Sequence, residues 1–216
     1  MEFKEQKVKE FIQDLSSSSP SPGGGSVAAL IAAIAGSLNS MVYSLTVNKK
    51  AFEALDGETK KFVLDFKEAS DKFITKSLHF MEKDREYFNK LMDCYKLPKN
   101  TIEEKEKREK AIYESTLKAM QTPLELAREA YEFYDNIDVC LRHGNKMLIS
   151  DASCAAICLS AAIDSAIVNV KVNLNSFRNR KFAEEIEAEL DNLAFNSFSR
   201  KNIICNMAEE IIYPVK

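Results

Sequence analysis

Tryptophan is absent from this chain, histidine occurs twice, and glycine and proline number only six and five in 216 residues. Each scarcity excludes something. His79 and His143 lie far apart and no Cys/His cluster has metal-ligand spacing, so no metal centre is expected. The five cysteines (Cys94, Cys140, Cys154, Cys158 and Cys205) are odd in number and fall on helical patterns. They read as reduced, buried thiols in a cytoplasm, with small apolar packing as the reading of the Cys154/Cys158 pair. Basic surplus is missing too: 30 Lys and Arg against 33 Asp and Glu leave a net charge of −3, which argues against a nucleic-acid partner. Residues 1–10 are largely charged and lack the basic-then-apolar order of a secretory leader. No strand-like alternation occurs. A membrane span is considered for Val27–Leu45 on length, but Ser37, Asn39, Ser40 and Ser44 interrupt it, and it reads as a core helix.

Against that scarcity, "SPSPGGGSVAALIAAIAGS" packs three glycines and two prolines between Pro20 and Gly25, directly ahead of an alanine-rich run. Ser-Pro-Ser-Pro holds the chain extended. Ser26 is an N-cap type opening the helix, and the glycines leave backbone N–H groups unobstructed at its positive end. Two readings stand: a flexible linker, or a loop that receives an acidic ligand such as a carboxylate or phosphate. It is neither a P-loop nor a dinucleotide fingerprint, since no Lys-Ser/Thr follows and no strand precedes.

Elsewhere each Gly or Pro marks a boundary. The pattern predicts a first helix with Val8, Phe11, Ile12 and Leu15 on one stripe, and a second from Ser26 towards Lys50. A third runs from Thr59 to Tyr95, stopped by "LPKNT", and a fourth is opened by the Thr101/Glu104 capping box. Thr122-Pro123 is expected to break that helix and start another. After His143-Gly144-Asn145, Ser150-Asp151 is expected to open a second small-residue helix, and a last helix spans roughly Phe182–Ile212. The fold class that follows is all-α: residues 1–216 as a single-domain helical bundle. Long amphipathic helices surround two buried small-residue helices, with oligomerisation through helices. Ala28, Ala32 and Gly36, four apart, would admit another helix at close range.

Asp84 is the most informative polar position. It interrupts the inward stripe expected of Phe66, Phe73, Ser77, Phe80, Phe88, Leu91 and Tyr95, one turn from Phe80 and from Phe88. Desolvation there would raise its pKa and suit it to proton transfer. The competing reading is a structural ion pair with Lys83, Arg85 or another base, and spacing alone leaves both open. Asn169 and Asn173 share one face of the second small-residue helix; buried amides need partners, and the backbone is favoured over a ligand. Asp151, like Ser150, can be a simple cap. "EEKEKREK" (103–110) reads as a solvated face.

Together "PSPGGGSVAAL", "SMVYSLT", Asp84 ahead of "YKLPKNTIEEKEKRE", "HGNKMLISD" and "NVKVNL" resemble the cyclodeaminase domain of formiminotransferase-cyclodeaminases and their free-standing bacterial relatives, the methenyltetrahydrofolate cyclohydrolases included. The resemblance spans roughly residues 3–174. It implies an all-α fold, a homodimer or larger assembly, and a tetrahydrofolate one-carbon substrate, with no further cofactor and no metal. It assigns catalysis to Asp84 and substrate binding to Ser21, Gly23, Gly24, Gly25, Ser26, Asn145, Asp151, Asn169 and Asn173. The folate's acidic glutamate end is expected at the helix start after Gly25. The family's later aspartate is replaced here by Asn179, in "SFRNRKF". The rivals are an enzyme acting on another small amidine or formyl compound and a non-catalytic scaffold.

Overall fold

A computed structural model describes residues 2–47, 49–177 and 179–214. Among them are eight α-helices and no strand: α1 (Val8–Leu15), α2 (Gly24–Thr46), α3 (Lys50–Glu53), α4 (Gly57–Tyr95), α5 (Ile102–Glu132), α6 (Tyr134–His143), α7 (Ile149–Leu174) and α8 (Arg180–Ile212). One hydrophobic cluster runs through the bundle, so the expected all-α class holds. Its centre is the expected pair of small-residue helices: Ala28, Ala32 and Ala35 of α2 and Ala155, Ala162 and Ala166 of α7 are fully buried. Gly36 lets α4 approach, for a Cβ there would stand 2.9 Å from Ile74 Cγ1 and 3.0 Å from Phe73. Phe73 in turn stacks on Phe133, ring centroids 4.0 Å apart.

The long helices begin where side chains satisfy their first N–H groups. Asp56 caps α4 by accepting from Thr59 N at 2.9 Å, and Thr101 and Glu104 form the expected capping box on α5. Asn179, where the family pattern is lost, caps α8 by accepting from Phe182 N. Four expectations are corrected. Helix α2 starts at Gly24, with Gly23 as its N-cap, so Ser26 lies inside the first turn. Helix α5 does not break at Thr122-Pro123. Pro123 is buried within it, flanked by buried Leu124, Leu126 and Ala127, and Thr122 Oγ1 donates to Lys118 O. Packing of that face outweighs the roughly 3 kcal/mol that an interior proline costs. Helix α7 opens from a 3-10 turn (Lys146–Leu148) with Leu148 at its N-cap, which places Ser150 and Asp151 inside its first turn rather than at the cap. Tyr95, expected on the inward stripe of α4, is exposed at the helix end, and Phe88 is half-buried.

A buried polar cluster ties α2, α4 and α6. Asn39 Nδ2 donates to Asn136 Oδ1 (2.7 Å) and Ser70 Oγ (3.1 Å). Asn136 Nδ2 donates to Phe66 O (2.8 Å), and Tyr43 OH to Asn136 O (2.9 Å). Removing the amide of Asn136 leaves Asn39 with Ser70 alone and takes the side-chain donor from Phe66 O. Each buried partner left unsatisfied costs roughly 1–3 kcal/mol, and Asn136→Ala is expected to lower the urea midpoint by a corresponding amount.

Candidate active site

The start of α2 and the middle of α4 meet at Asp84. Ser26 Oγ donates to Asp84 Oδ2 at 2.8 Å, and the Ser26 backbone N–H also bonds this carboxylate. Gly25 makes the approach possible: a Cβ there would lie 2.0 Å from Asp84 Oδ1 and 2.5 Å from Cγ. At Gly24 a Cβ would meet Asn169 Nδ2 at 3.1 Å, while at Gly23 it would meet nothing within 4 Å. No described glycine has a positive φ, so space and not a left-handed turn is what requires glycine here. The Asp84 carboxylate thus sits at the positive end of α2, in the place expected for an acidic ligand.

Two forces act on that carboxyl. Burial pushes its pKa above the ordinary aspartate value, and the hydrogen bonds from Ser26 pull it down, with burial the stronger. The neighbouring bases point elsewhere: Arg85 pairs with Glu82 at 3.3 Å and lies over the Phe3 ring, and Lys83 Nζ lies 5.8 Å from the Phe80 ring centroid. Asp84 is therefore a half-buried carboxyl held by a hydroxyl and an amide. That arrangement suits it to take up and return a proton during a reaction.

The other expected site residues divide between the two ends of α2. Gly24, Gly25 and Ser26 gather with Asp84 and Asn169, while Gly23 is the N-cap of α2 and Ser21 O accepts from Ser19 Oγ. Asn169 Nδ2 donates to Ser165 O and Asn173 Nδ2 to Asn169 O, the backbone partners expected for these amides. Asn145 stands at the opposite end, where its N–H donates to Thr46 Oγ1 (2.8 Å) and its Oδ1 accepts from Met147 N. Asp151 lies near it in the first turn of α7. Along α2 the ends are about 33 Å apart, so one chain does not unite the two groups.

Sequence reasoning missed what surrounds Asn145. A cleft of about 380 Å³ is lined there by Lys49, Phe52, Arg142, His143, Asn145 and Lys146, among others, and no acidic side chain among the described residues lines it. The signal that could have found it is the basic flank of "RHGNK", around a His143-Gly144-Asn145 stretch that reads as a boundary.

The profile of the family described as Formiminotransferase-cyclodeaminase matches residues 7–192. This chain belongs to that family. Among its relatives is the methenyltetrahydrofolate cyclohydrolase of Methylorubrum extorquens, 37% identical over 188 residues that cover 87% of this chain and 88% of that protein. The mouse formimidoyltransferase-cyclodeaminase is 30% identical over 186 residues, 86% of this chain but 34% of that protein, so the chain spans about a third of that relative. Among solved structures, the formiminotetrahydrofolate cyclodeaminase of Thermotoga maritima superposes with a TM-score of 0.82 at 25% identity, covering 97% of this chain and 99% of that one. In this family member, then, both the sequence and the fold agree with the cyclodeaminase resemblance.

Proposed function

We propose that this protein is a folate one-carbon enzyme that works at the carbon bridging N5 and N10 of tetrahydrofolate. It either closes 5-formimidoyltetrahydrofolate to the 5,10-methenyl form with loss of ammonia, or hydrolyses the methenyl form. The observation that carries the reading is the Asp84 carboxyl, desolvated yet fixed by Ser26 and set against a side-chain-free Gly24–Gly25 surface. The names of the relatives support both reactions. A scaffold would gain nothing from burying this carboxylate, since an apolar residue is cheaper to desolvate.

In cyclodeamination, N10 adds to the carbon of the protonated formimidoyl group. Asp84 takes the N10 proton and then delivers it to the amino group on the tetrahedral carbon. Ammonia leaves as the C–N bond breaks, and the methenyl cation remains. In hydrolysis, Asp84 takes a proton from the attacking water and returns it to the ring nitrogen that departs. The hydroxyl proton of the tetrahedral intermediate goes to solvent as the formyl group forms. Both routes use one acid–base group in nearly one position and need neither a metal nor a further cofactor. In this reading Gly23, Gly24, Gly25, Ser21, Asn169 and Asn173 border the pterin side, and the protein acts in the cytoplasm as a homodimer without nucleic-acid or membrane partners. The test follows the methenyl chromophore with 5-formimidoyl and 10-formyl substrates side by side. Formation from either supports the reading, and no conversion of either overturns it.

A further inference from the structure

Helix α2 begins without a side chain at its cap. Gly23 holds the N-cap position and offers the first turn no side-chain acceptor. The third N–H of the helix, which an N-cap side chain can take, belongs to Ser26. The Asp84 carboxylate of α4 accepts it instead. Ser26 gives the same carboxylate its hydroxyl, Oγ to Oδ2 at 2.8 Å. Both donors of one residue thus converge on one acid. Ser26 is also 0% exposed, so a substrate that reaches Asp84 does not touch the Ser26 hydroxyl. The substrate-binding role that the family resemblance implies for Ser26 has no surface through which to act.

What the hydroxyl can do instead follows from the acid that it faces. An acid–base group passes through two protonation states during one turnover. A backbone N–H only donates, so it can bond a carboxyl oxygen that carries no proton but not one that does. A hydroxyl donates and accepts. While Asp84 is ionised, Ser26 Oγ donates to Oδ2. When the proton sits on Oδ1, the carbonyl oxygen Oδ2 still accepts from Ser26. When it sits on Oδ2, the Ser26 hydroxyl turns about its own C–O bond and accepts instead. Whichever oxygen takes the proton, the hydroxyl has a bond to make and no heavy atom moves.

Among the described residues no charge competes for this control. Helix α2 brings no charged side chain, and α7 brings Asn169, a neutral amide, to Gly24. On α4 itself Glu82 and Arg85 pair with each other, and Lys4 N–H, from the turn at Phe3–Glu5, donates to Glu82. Helix α5 brings Lys118 and Glu125, which share a small cleft with Lys83 and Tyr87. Helix α6 meets α4 further along, at Phe66 and Ser70. The Asp84 carboxyl feels burial, which raises its pKa, and the Ser26 bonds, which lower it.

We infer that Ser26 is the positioning residue of the proton transfer: its hydroxyl keeps the Asp84 carboxyl in one place both when the proton is taken up and when it is returned. This rests on the folate reading for the reaction, but on the contact alone for the control of Asp84.

Ser26→Ala is expected to fold, because alanine suits a helical first turn. Its kcat is expected to fall by about tenfold to a hundredfold, the worth of a hydrogen bond to a charged group, with KM unchanged. Losing a bond that favours the ionised carboxyl raises the Asp84 pKa, so the acid limb of kcat is expected to move to higher pH. Ser26→Thr restores a hydroxyl and is expected to recover the limb and most of kcat. If the added methyl prevents folding, Ser26→Cys takes its place, with a kcat between those of serine and alanine, since a thiol is a weaker donor and acceptor. A raised KM with kcat and the limb unchanged makes Ser26 a substrate contact and overturns the inference. A lowered kcat with an unmoved limb leaves Ser26 a packing residue and overturns it too. The control of Asp84 is also read without substrate, by titrating the carbon-13 signal of its carboxyl, identified by its loss in Asp84→Asn. That signal is expected to titrate at higher pH in Ser26→Ala than in wild type, and an equal titration overturns the inference. Absence of wild-type turnover with both folates refutes the functional reading, while the carboxyl titration still decides whether Ser26 governs Asp84.

Discussion

Asp84→Asn is expected to lower turnover by about a hundredfold to ten-thousandfold, the usual contribution of general acid–base catalysis. The amide keeps the size of the carboxylate and can still accept from Ser26 through its oxygen, so the start of α2 stays in place. What it loses is the ability to accept the proton from N10 or water. Folate affinity is expected to change by far less than turnover. Stability carries a second signature. Burial raises the Asp84 pKa above the ordinary aspartate value, so the folded state holds this proton more tightly than the unfolded one. From about pH 4 up to the folded-state pKa, wild-type stability therefore falls as pH rises. The asparagine variant lacks that loss, and its melting temperature relative to wild type is expected to climb over the same interval. Thermal unfolding from pH 4 to 8 and single-turnover rates on one preparation check both parts. Near-wild-type turnover would remove Asp84 from the chemistry, and a collapsed fold would return it to a structural role.

Gly25→Ala is expected to be almost as damaging, although the change adds one methyl group. The new Cβ would lie 2.0 Å from Asp84 Oδ1 and 2.9 Å from Oδ2, and the short aspartate side chain yields only by swinging away from Ser26. Turnover is expected to fall by at least about a hundredfold, as when the acid–base group itself is lost. Helix content is expected to be unchanged, because alanine suits a helical first turn. The diagnostic is coupling. In an Asp84→Asn background the same substitution is expected to cost little further turnover, since residues acting as one unit do not add. Gly24→Ala serves as the contrast. Its Cβ meets Asn169 Nδ2 at 3.1 Å, a contact that a small shift of the amide relieves, so a modest rise in KM is expected.

Legibility from sequence followed the range of each interaction. Capping by Thr101 and Glu104 and the buried alanine faces of α2 and α7 were readable, because they depend on spacings of three, four and seven residues. The importance of Asp84 was visible in its place on the stripe of α4, but not its partner, since Ser26 is 58 residues away. The glycine triplet reads as a flexible linker or as a loop for an acidic ligand, whereas in the structure Gly25 is the space that another helix's carboxylate fills. Pro123 misled because an interior proline is disfavoured locally, and only the packing of its neighbours, which no local pattern contains, offsets that. Asn145 and Asp151 were grouped with the glycine loop through the family resemblance alone, and the chain itself places them at the other end of α2.

The Asn39–Ser70–Asn136 cluster also has a metrological consequence. Asn39 stands 14 residues from Gly25 on α2, and Ser70 stands 14 residues from Asp84 on α4, with the two helices running in opposite directions. Two fastenings at equal spacing on antiparallel rods make a vernier: a slide of one helix by a single residue, about 1.5 Å, unfastens both together. The amides near the middle of α2 thereby gauge the gap between Gly25 and Asp84, some four turns away. An error in that gauge would reach the proton-transfer distance without any residue of the site being altered.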